Sequence, residues 1–66
     1  MRMTYDPQAD AAQIVLSDGP VVDSEEVAPG IVLDFDAAGR VLAIEVLRAS
    51  ETLAPGAVAS LPAAAE

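Results

Sequence analysis

Ile31-Val32-Leu33-Asp34-Phe35-Asp36-Ala37-Ala38-Gly39-Arg40-Val41-Leu42-Ala43-Ile44-Glu45-Val46-Leu47 reads as a β-hairpin. Ile31, Leu33 and Phe35 alternate with Val32, Asp34 and Asp36, the period-two pattern of a strand. Ala37-Ala38-Gly39 supplies the connection, with Gly39 free to take a positive φ. Val41–Leu47 returns, with Leu42, Ile44 and Val46 inward and Val41, Ala43, Glu45 and Leu47 outward. The outer side of the pair therefore carries Val32, Val41, Ala43 and Leu47. That is too apolar for a sheet face washed by water. These four residues are the candidate interface, and two covers suit them: the C-terminal segment or another subunit.

Working outward, turn signals punctuate further strand-like runs. Met1–Tyr5 is followed by the turn Asp6-Pro7-Gln8-Ala9-Asp10. In Ala11–Ser17, Ala12, Ile14 and Leu16 alternate with Gln13, Val15 and Ser17, and Asp18-Gly19-Pro20 closes the run. Val21–Val27 is weaker: Asp23, Ser24, Glu25 and Glu26 place it at an edge or in extended loop. Pro29-Gly30 makes a bend. Beyond the hairpin, Ser50–Leu53 starts a helical turn with Ser50 as N-cap, and Pro55-Gly56 interrupts it. The expected fold is mainly β, an antiparallel four-stranded meander with a short C-terminal helix (α+β if the tail is helical). Residues 1–53 form one β-rich domain, and 54–66 are an Ala/Pro-rich tail, a short helix or disordered.

Composition narrows the function classes. A chain of 66 residues holds one domain. A domain of that size buries only about 60% of the surface its unfolded chain exposes, so extra support is common. Cysteine and histidine are absent, which removes disulfides, thiolate sites and the commonest metal ligand. Oligomerisation remains, and a homo-oligomer is expected. The net charge of −8, with 11 acidic residues against 3 arginines, repels nucleic acid and anionic membrane. A basic protein partner stays open. No apolar run approaches the ~20 residues of a membrane span, and MRMTYDP lacks the apolar stretch of a signal peptide. A cytoplasmic protein is expected.

The sharpest local motif is Asp34-Phe35-Asp36-Ala37-Ala38-Gly39, with Glu45 following in the next strand. It nearly matches a calcium loop. Calcium needs 6–8 oxygen ligands, and Ala38 replaces one of them. The simpler reading is a hairpin whose Asp caps the turn. Asp34, Asp36 and Glu45 are nonetheless the candidate divalent-cation ligands. As cross-strand neighbours Asp34 and Glu45 would repel each other, with Arg40 and Arg48 placed to offset this. No catalytic residue, cofactor or enzyme activity is expected. Ser17, Ser24, Ser50 and Ser60 have no His or Lys to activate them, and Gly19, Gly30, Gly39 and Gly56 are too dispersed for a phosphate loop. Phe35 reads as core, and Tyr5 as a cover for the sheet end with its hydroxyl in water.

Tyr5-Asp6, Ala9-Asp10-Ala11, Ile14, Leu16, Glu26-Val27, Pro29-Gly30, Asp34, Asp36, Gly39, Ile44-Glu45, Leu47 and Ala49-Ser50 together form a pattern. With it, Met3–Leu53 resembles the small bacterial domain of unknown function 2283, the YuzE-like family. Two departures stand out: Ala12-Gln13 where members commonly carry Leu-Tyr, and Gln8 where many carry Glu. The resemblance implies a small β-sheet domain with a short C-terminal helical element and no assigned activity. By analogy of gene neighbourhood it also makes room for an acidic antitoxin-like partner of a small basic protein.

Overall fold

The computed structural model describes residues 1–62. One antiparallel sheet holds five strands: β1 (Arg2–Asp6), β2 (Ala11–Val15), β3 (Asp23–Ala28), β4 (Ile31–Phe35) and β5 (Val41–Leu47). Their order is β1-β2-β5-β4-β3. The fold is mainly β, as the alternation implied, but it has five strands rather than four and is a meander only through β3, β4 and β5. The connection 16–22 carries the chain from β2 to β3 at the opposite edge, and β5 then returns to pair with β2, which is Greek-key connectivity.

Each departure has a physical cause. β3 is exposed at every position, yet the tight Pro29-Gly30 turn sets it in register with β4, and at the sheet edge its acids stay in water. β5 is the longest strand and, apart from Glu45, wholly apolar, so it takes the centre between β2 and β4.

The Asp36–Arg40 turn closes the quoted hairpin. Gly39 has φ 80°, and the Asp36 carboxylate accepts bonds from the Ala38 N–H, the Arg40 N–H and the Arg40 Nε. These partners, the Arg40 backbone foremost, hold Asp36 below the usual carboxylate range. Gly30 meets a double constraint: its φ is 79°, and a Cβ there would lie 3.0 Å from both the Leu47 carbonyl and Thr52 Oγ1.

After β5 the chain turns at Arg48, which adopts a left-handed conformation (φ 50°, ψ 51°), into the short helix α1 (Ala49–Thr52). A 3₁₀ turn follows at Val58–Ser60. Ser50 is not the N-cap: Arg48 holds that position, with no side-chain cap of its own. Leu53, Val58 and Leu61 then pack, with Tyr5 and Ile31, around the buried Ala12, Val46 and Ala49. Among the described residues the tail therefore covers the inner side of the sheet, the side of Ile31 and Val46, and not the outer one. Residues 63–66 of the expected tail lie outside the described residues.

Candidate functional site

The inner face is organised in cross-strand rows. Strand register sets Tyr5, Ala12, Val46 and Ile31 side by side in one row and Met3, Ile14, Ile44 and Leu33 in the next. The tail packs on the first row. In the second, Ile14, Ile44 and Leu33 are only half-buried, and Met3 is 44% exposed. Beyond that row Leu42 is buried, and Gly19 of the β2–β3 connection approaches its side chain. The second row thus lies open between tail and connection.

The outer face is mixed. Thr4, Gln13, Glu45, Val32 and Glu26 form one row, and Arg2, Val15, Ala43, Asp34 and Ser24 the next. Of the four candidate interface residues, Val32 is half-buried, Val41 and Leu47 are exposed, and Ala43 is buried among its neighbours.

Asp34 and Glu45 meet on this face as diagonal neighbours, since Asp34 lies opposite Ala43 and Glu45 opposite Val32. Asp34 is 5% exposed and accepts the Ser24 hydroxyl at 2.6 Å. Burial pushes Glu45 up from the usual carboxylate range; the charge of Asp34 and a side-chain hydrogen bond to it add to this. Neither Arg40 nor Arg48, the arginines expected to relieve the pair, forms an ion pair with it among the described residues. Among the described residues the ion pairs are Arg2–Asp18 and Arg40–Asp36, both 3.1 Å. Asp36 sits in the hairpin turn, occupied by Arg40, and does not join Asp34 and Glu45. No group of three or more acidic side chains suited to a metal ion occurs among the described residues. Beside Glu45 is an open hollow of ≈ 370 Å³, bordered also by Thr4, Asp6, Ala11, Gln13 and Leu47.

A third cluster ties sheet to tail. Asp10, itself at φ 50°, accepts the Tyr5 hydroxyl (2.7 Å), the Ser50 N–H (3.1 Å) and the Ser50 hydroxyl (2.6 Å). Its carbonyl accepts the Ala49 N–H at 2.7 Å. The Ser50 hydroxyl, and after it the Tyr5 hydroxyl, hold Asp10 below the usual carboxylate range, while the bond to Asp10 raises Tyr5. The Tyr5 hydroxyl is therefore engaged rather than left to water, and Asp10 satisfies the helix start that Ser50 was expected to cap.

The family model described as "Protein of unknown function (DUF2283)" matches residues 2–50. The chain belongs to this family. No curated protein and no solved structure matches it. The Asp10 cluster explains part of the DUF2283 pattern, because Tyr5, Asp10 and Ala49-Ser50 are its hydrogen-bonded members. Pro29-Gly30 supplies the turn beneath α1, and Asp36 with Gly39 closes the hairpin. The matched stretch ends at Ser50, so Leu53, Val58 and Leu61, which roof the first row, lie beyond it. Sequence reading missed the Asp10 cluster because its members are 5 and 40 residues apart.

Proposed function

We propose that this DUF2283 chain is a non-enzymatic protein-interaction domain that associates with itself through a face of its sheet. One observation carries the reading: among the described residues no large side chain is fully buried, although 53% of the chain is hydrophobic. Three of the buried apolar residues are alanines, Ala12, Ala43 and Ala49. Burial contributes about 25 cal/mol per Å² of apolar surface, so so thin a core leaves much of that stabilisation unrealised. A second copy supplies it without disulfide or metal. Acid–base catalysis needs a substrate held against the acting group, whereas Asp34 is buried against Ser24 and the hollow beside Glu45 is broadly open.

Sedimentation equilibrium across the micromolar range tests this. The expected mass rises above 6.7 kDa with concentration. A mass fixed at that of one chain throughout removes the reading.

The −8 charge and the exposed Asp23, Glu25 and Glu26 of β3 favour a second reading, an acidic partner that masks a small basic protein. Salt-sensitive binding to such a protein supports it, and binding indifferent to salt counts against it.

A further inference from the structure

We infer that two copies meet on the open row of the inner face, Met3, Ile14, Ile44 and Leu33, rather than on the outer face. This inference rests on the self-association reading above and names its surface.

Charge selects the face. A symmetric pair brings the same patch of each copy together, so the patch must suit itself. Paired outer faces would take the exposed Glu26 and the half-buried Glu45 of both copies out of water, beside the already buried Asp34, and burying unpaired charge is unfavourable. On the inner face, β1, β2, β5 and β4 contribute Met3, Ile14, Ile44 and Leu33 in one unbroken row without a charge. Acids stand at the margins of that row: Glu25 and Asp23 on the edge strand, opposite Leu33 and Phe35, and Asp10 beyond the neighbouring row, where it holds the Tyr5 hydroxyl. In a chain of net charge −8 this is the surface that a second copy can approach closely.

The tail on one side and the Leu42–Gly19 contact on the other bound the patch, so the contact is confined to this row and to Phe35 beside it, also half-buried.

The test compares Met3→Glu and Leu33→Gln on the inner row with Gln13→Glu on the outer face, by sedimentation equilibrium beside wild type, with circular dichroism confirming the fold. Met3 is exposed at the edge strand, so its variant retains the fold even where Leu33→Gln does not. The expected result is self-association of wild type, weakened about tenfold or more by Met3→Glu and left unchanged by Gln13→Glu. A monomeric wild type overturns both the association and its surface. Association that Met3→Glu leaves intact overturns the surface alone, whether or not Gln13→Glu disturbs it.

Discussion

Two neighbouring rows on one sheet face have the same character and different surroundings. Tyr5, Ala12, Val46 and Ile31 lie beneath the tail, while Met3, Ile14, Ile44 and Leu33, one register step away, stay half-open. Hydrophobicity does not separate them, since the open row is the more aliphatic. What separates them is the direction in which the chain leaves β5. The left-handed Arg48 and the Asp10 bonds to Ala49 and Ser50 send the tail back over the first row. The roof is thus a matter of anchoring, and the open row is what remains when one short tail has been spent.

Gly30→Ala strikes that contrast hardest. The left-handed backbone costs an alanine about 1–2 kcal/mol, and its Cβ also presses on Leu47 and Thr52, which join β5 to α1. A loss of at least that size in urea unfolding is expected, with the roofed row becoming as exchange-prone as the open one. Val46→Ala comes next, at about 2 kcal/mol for a side chain buried under the tail. The matching change in the open row, Ile14→Val, should cost under about 1 kcal/mol in the dissociated chain, because its site is already half-wet. Equal losses per methylene would erase the distinction between the rows.

Acid should dissolve the contrast from the roofed side. Asp10 has a folded pKa below its unfolded value. Its contribution is complete above the ordinary carboxylate pKa of about 3.9 and is lost as pH falls through the depressed one. Asp10→Asn should lower Tm at neutral pH and flatten this acid limb. Glu45 has the opposite sign, with a folded pKa above its unfolded value. The stability tied to its proton is present in acid and lost as pH rises through the raised pKa. Glu45→Gln should therefore raise Tm slightly at neutral pH, with the gain vanishing in acid. It should leave the tail untouched, since Glu45 lies on the other face.

Much of the sheet was legible because strand alternation and turn chemistry are local. The 31–47 hairpin, with its Asp-capped turn, follows from residues within a few positions of one another. The acid-rich β3 was legible as an edge for the same reason, although not as a fifth strand, because its propensity is poor and its register is supplied by β4. The place of β5 between β2 and β4 is a long-range pairing that no local period encodes. The side that the tail covers depends on Arg48 and on an aspartate 40 residues from its serine partner. For that reason the sequence pointed to Val32, Val41, Ala43 and Leu47 as the exposed grease, whereas the structure also leaves an inner row open. Asp34 and Glu45 were readable as neighbours, but Ser24 as the third member was not, since it comes from across the β3–β4 turn.

The most direct measurement is an isotope-filtered NOE experiment on a mixture of labelled and unlabelled chains at millimolar concentration. Intermolecular contacts are expected from the methyl groups of Met3, Ile14, Leu33 and Ile44. Contacts confined to Val15 and Val32, or none between copies at all, would contradict it.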